Sequence, residues 1–177
     1  MNNWAVYPAF IATCLSMWLW LRFVRAEHDS KAPMTLSELG TSKNSRYFRA
    51  VLWICGPLFG VTILFYIAPR LDNIFVIVPL IGTVALEILT GVFLPRGKVE
   101  RALHEVSAYG MAFFMLTSVI ATALVIPRFA WIQWVLAVLM FSAAFLAIIS
   151  RNRFIYYELC FIFLSHITIL VAALAVR

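Results

Sequence analysis

The sequence predicts an all-α, polytopic membrane protein: a single membrane domain over 1–177, built as a six-transmembrane-helix bundle. Three observations predict it. Hydrophobic residues make up 64% of the chain and charged residues 12%, whereas a soluble domain is about half apolar and about a quarter charged. Six apolar segments approach the ~20 residues that cross a hydrocarbon core. None alternates in the manner of a barrel strand, and an open strand in lipid leaves backbone groups unpaired, so helices are the expected form. The formal charge of +6 is not a nucleic-acid footprint. The basic residues sit between apolar runs, where they orient a chain against anionic lipid.

The first span is expected at 4–24. It opens on MNNWAVYPAF, with no basic n-region before it and no small-residue cleavage site after it, and so reads as a retained span. A long polar loop follows at 25–49, and the second span at 50–68. APRLD (68–72) then places Pro-Arg before the third span, at 73–94. Proline ends the preceding helix, and so short a gap forces an antiparallel hairpin. LPRGKVER (94–101) is a basic turn into the fourth span, at 102–126. IPRF (126–129) repeats the Pro-Arg device before the fifth, at 129–149, and SRNR (150–153) leads to the sixth, at 154–176. GPLFG (56–60) is a Gly-x-x-x-Gly close-packing motif. Cys14, Cys55 and Cys160 lie inside apolar runs without metal-type spacing and read as buried small hydrophobes.

Lysine and arginine placement sets the expected orientation. Eleven basic residues fall on one side (Arg22, Arg25, Lys31, Lys43, Arg46, Arg49, Arg96, Lys98, Arg101, Arg151, Arg153) and three on the other (Arg70, Arg128, Arg177). The positive-inside rule then puts both termini outside and the three basic loops in the cytoplasm. Trp4 and Tyr7 would mark the outer interface, and Trp18 and Trp20 the inner one.

Ionisable residues inside spans are functional-site candidates, because burying them is costly. Here they are Glu87, His104, Glu105, Glu158 and His166. At 1.5 Å per residue, Glu87 lies ~10 Å and Glu158 ~6 Å from their basic loops, with His104 and Glu105 near the surface of the same half. His166, ~18 Å in, approaches the midplane. Thr83, Glu87, Thr90 and Gly91 share one stripe of span three. His104, Ser107, Met111 and Ser118 share a face of span four, and Glu158 aligns with Ser165 on span six. Three polar stripes converging in one half are expected to line a small cavity, acidic within and basic at its rim. Plain structural roles stand beside this. His104 with Glu100, and Glu105 with Arg101, are i, i+4 pairs of a solvated helix start. Glu158 has Arg153 nearby, toward which it would snorkel, and His166 suits a hydrogen bond inside the bundle.

There is no HxxxH or HExxH spacing, no Gly-x-Ser-x-Gly, and no phosphate or dinucleotide loop, so neither a metal nor a cofactor is expected. MTLSELG (34–40) is a capped turn: Thr35 as N-cap, Glu38 three residues on, Gly40 as the left-handed stop. It sits on the side of the polar cluster and reads as a lid or interfacial plug over it, with Ser37 and Glu38 as ligand contacts.

SELG (37–40), the GVFLP exit from span three (91–95) and His104 at the opening of span four form an ordered set. Together they resemble the six-helix DRAM/Frag/Sfk-type membrane proteins and related uncharacterised bacterial and archaeal six-helix families. The resemblance implies a compact six-helix bundle and, as in the eukaryotic members, roles in lipid remodelling, membrane organisation or autophagy, with Ser37, Glu38, Gly40, Gly91, Pro95 and His104 as the shared motif. It also implies a lumenal acidic motif, where the charge count puts this one inside.

The functional expectation is a non-enzymatic protein in the lipid bilayer that binds a lipid or small amphiphile. Its head group would lie near Ser37, Glu38, Glu87, His104, Glu105, Glu158 and His166, and Arg96, Arg101, Arg151 and Arg153 would engage phosphate. Two alternatives stay open: a lipid-modifying enzyme with His104 as general base and Glu87 or Glu158 as partner, and a proton-coupled carrier or complex subunit using Glu87 and His166. The sequence equally leaves open a homo-oligomer or a larger membrane complex.

Overall fold

The computed structural model describes residues 4, 6–27, 35–36, 41, 45–150 and 154–176. Among them there are six long helices and no strand. They are α1 (Val6–Glu27), α2 (Ser45–Leu71), α3 (Ile74–Val92), α4 (Lys98–Val125), α5 (Ala130–Ile149) and α6 (Phe154–Ala175). Helices α2 to α6 are each long and apolar enough to cross a membrane. Each helix packs on its neighbour in sequence, and α6 returns to α1, so the six close into a ring. Helix α6 also touches α2 and α4 and is the most enclosed of the five apolar helices.

Two helices start earlier than the hydrophobic pattern alone indicates. Helix α2 begins at Ser45 and takes in Arg46 and Arg49, and α4 begins at Lys98. Arginine is a good helix former, so these residues extend the helix, and their guanidinium groups lie over rings of the same helix, Arg46 over Tyr47 and Arg49 over Trp53. Pro69 does not end its helix as expected. Both α2 prolines are instead preceded by π-helical turns, Val51–Cys55 before Pro57 and Ile63–Ile67 before Pro69. A proline ring collides with the carbonyl four residues back, and a wider turn relieves that contact. The chain reverses at Asp72, in the left-handed region at φ 43°. Asn73 then opens α3, its Oδ1 accepting from the Phe75 amide at 3.0 Å.

Small residues set the close helix contacts. Gly56 and Gly60 of GPLFG face α3, where an added Cβ would meet Ile88 at 3.0 Å and Val84 at 3.5 Å. Gly82 seats the Phe114 ring of α4, which an added Cβ would strike at 2.8 Å. The apolar interior has two lobes: one from α1, α2, α3 and α6, the other from α4, α5 and α6 around Met111, Met115 and Met140.

Some expectations about individual side chains change. Trp18 is exposed, as a belt residue would be, but Trp20 is buried, edge-on to Phe48 with ring centres 5.6 Å apart. Cys55 is buried, while Cys14 and Cys160 face outward among apolar side chains.

Candidate functional site

The polar residues do not gather in one cavity. They form two separate sites, each centred on a histidine.

His104 stands one and a half turns into α4, beside the end of α3. The last carbonyls of a helix lack intrahelical partners. His104 Nδ1 lies 2.6 Å from the Phe93 carbonyl and 3.1 Å from the Thr90 carbonyl. Carbonyls only accept, so Nδ1 carries the proton and donates, and His104 caps α3 from the neighbouring helix. Nε2, the other polar atom of this buried ring, has no partner. The expected Glu100–His104 and Arg101–Glu105 pairs are absent among the described residues.

Beside His104 lies a cavity of about 270 Å³, lined by Arg101, His104, Glu105, Ala108 and Tyr109 of α4, Phe154 and Glu158 of α6, and Pro95, Thr35 and Thr41. The α4 residues fall at i, i+3, i+4, i+7 and i+8, a single helical face. The Leu36 amide donates to Glu158 Oε2 at 2.9 Å, and the Leu36 side chain is buried in the apolar core. The loop between α1 and α2 is thus pinned to α6 at the cavity's edge.

The second site is deeper. His166 Nε2 lies 3.3 Å from Glu87 Oε1, and its Nδ1 lies 2.9 Å from Ser16 Oγ. The three residues come from α6, α3 and α1 and are 0–1% exposed. Phe59 of α2 covers the ring, with centres 4.5 Å apart and planes tilted by 33°. None of the three lines the cavity.

Glu87 therefore sits with His166 and not, as the main expectation had it, with His104 and Glu158. The hydroxyls of Thr83, Thr90, Ser107 and Ser118 in the expected stripes do not line this cavity either. Each turns back to a carbonyl of its own helix. A hydroxyl facing an apolar bundle finds its nearest acceptor one turn behind itself. Arg96 is exposed and is not among the residues lining this cavity, while Arg101 is. Ser37, Glu38, Arg151 and Arg153 lie outside the described residues.

Sequence reasoning missed Ser16, a lone serine in an apolar run. Depth was the available signal. Ser16 is ~15 Å from the start of α1 and His166 ~14 Å from the end of α6, at the same end of the bundle. Comparison with protein-family models, curated proteins and solved structures finds no match for this chain.

Proposed function

We propose that the protein is a non-enzymatic membrane protein that binds the head group of a zwitterionic amphiphile in the His104 cavity. One observation carries this reading. Arg101 and Glu105 lie one turn apart on α4, face the same cavity and make no ion pair with each other. One turn is ~6 Å, comparable to the phosphate-to-ammonium reach across a two-carbon linker. Arg101 takes the phosphate and Glu105 the ammonium, with the unpartnered Nε2 of His104 as a further hydrogen-bonding atom. The volume of about 270 Å³ suits a head group rather than a whole lipid, since drug-sized ligands occupy about 300–1,000 Å³. The acyl chains lie outside, along exposed Tyr109 and Val106.

In this reading α1 is the sixth span, 22 residues long and so ~33 Å, and the basic loops face the cytoplasm. The catalytic alternative lacks an oriented base: Glu87 is engaged by His166, and no bond joins His104 to Glu158 among the described residues.

The test is native mass spectrometry of the purified protein with phosphatidylethanolamine, phosphatidylcholine and phosphatidylglycerol. Ethanolamine lipid is expected to bind best, and Arg101→Ala or Glu105→Gln to weaken it about tenfold each, the loss of one charge-assisted contact. Equal retention of all three lipids by both variants would overturn the reading.

A further inference from the structure

Glu87, His166 and Ser16 form a hydrogen-bonded chain sealed from solvent, and nothing in the head-group reading uses it. Among the described residues no lysine or arginine pairs with Glu87, and its Oε2 has no partner at all. The charge of the cluster is therefore set by the protons that Glu87 and His166 hold between them. The other titratable groups facing it are few. The Cys55 thiol approaches Glu87 from α2, and His104 of α4 reaches the Thr90 carbonyl one turn beyond Glu87. On α6 the nearest are Cys160, which points outward, and Glu158, two turns away, and Cys14 of α1 also points outward. Helix α5 carries no acidic, basic, histidine or cysteine residue.

We infer that Glu87, His166 and Ser16 form a proton-binding site inside the bundle, with the Ser16 hydroxyl as the switch that keeps the chain bonded in both states. In the unloaded state Glu87 is a carboxylate and His166 is neutral. Nε2–H donates to Oε1, and the Ser16 hydroxyl donates to the Nδ1 lone pair. The cluster carries one negative charge. A proton from solvent then adds to Nδ1. The new N–H donates to Ser16 Oγ, and the serine hydrogen rotates to a carbonyl one turn back on α1. Thr13 already makes such a bond, to the Ala9 carbonyl at 2.8 Å. No bond other than N–H forms, and the cluster becomes net neutral, whichever side of the Nε2–Oε1 contact holds the other proton. A hydroxyl is the group suited to Nδ1 here because it both donates and accepts. The glutamate and imidazole come from different helices, as does the hydroxyl, so loading and unloading change the contact that ties α1 to α6 and α3.

The test uses full-length protein in nanodiscs, with isotope-labelled histidine, observed by nitrogen NMR across pH. His166 is assigned by His166→Gln. The expected result is a His166 Nδ1 signal that passes from unprotonated acceptor to protonated donor as pH falls, while Nε2 stays bonded and His104 Nδ1 stays protonated throughout. Ser16→Ala removes the switch without emptying the site and is expected to leave Nδ1 without its bond in both states, read as a displaced His166 Nδ1 signal above and below the transition. A His166 Nδ1 signal that does not change over the pH range in which the protein stays folded would overturn the inference. So would a Ser16→Ala protein whose His166 Nδ1 signals match wild type on both sides of the transition.

Discussion

His104 and His166 are both buried, and both bond through Nδ1 within the helical bundle, yet their surroundings differ in one decisive respect. His104 spends Nδ1 on backbone carbonyls and keeps Nε2 unpartnered beside a cavity. His166 commits both nitrogens to side chains of other helices and does not line that cavity. One ring is anchored to a scaffold and can meet a ligand. The other is itself the junction at which helices meet. The difference comes from helix ends. A helix terminus offers unpaired carbonyls and a turn that opens to one side, whereas a mid-helix position offers only side chains.

Mutations can break this contrast, beginning where the effect is largest. His166→Ala empties a site where four helices converge and leaves Glu87 without a partner. It is expected to cost ~3–5 kcal/mol, the usual penalty for breaking a buried pair, read as a lowered unfolding temperature in detergent. The paired replacement Glu87→Leu with His166→Phe is expected to recover most of that loss. Next comes His104→Phe, which leaves the Thr90 and Phe93 carbonyls without their donor. It is expected to cost ~1–3 kcal/mol and to abolish head-group binding, a pairing of effects that His166→Ala does not produce. Glu158→Gln weakens the bond to the Leu36 amide. Its stability loss is expected near ~1 kcal/mol, with a several-fold rise in labelling of a cysteine placed at Thr41. Arg101→Ala and Glu105→Gln are the smallest in stability, within about 0.5 kcal/mol as surface substitutions, and differ from the rest by losing only lipid binding.

Much of the fold was legible in the sequence because it follows from composition. A run of about 20 apolar residues bounded by Pro-Arg or basic turns has one low-energy form in lipid. What was not legible lies between helices. Arg46 and Arg49 looked like loop residues because charge marks the end of an apolar run, yet arginine is a good helix former and α2 takes both in, with their guanidinium groups over rings of the same helix. Pro69 looked like a stop, and only a π-helical turn lets the helix pass it. The acidic and basic residues that line the cavity were identified by type, and their spacing on α4 is readable. Their separation from Glu87 was not, because rotation about the α3 axis decides which neighbour a buried carboxylate meets. Ser16 carried no charge and no motif, and became visible only once α1 was set against α6.

The most direct measurement follows both labelled histidines by nitrogen NMR while phosphatidylethanolamine is added to the full-length protein at constant pH. The predicted result is a shift of the His104 Nε2 signal as lipid binds, with both His166 nitrogens unmoved. A shift confined to His166, with His104 unchanged at saturating lipid, would contradict the division of roles between the two sites.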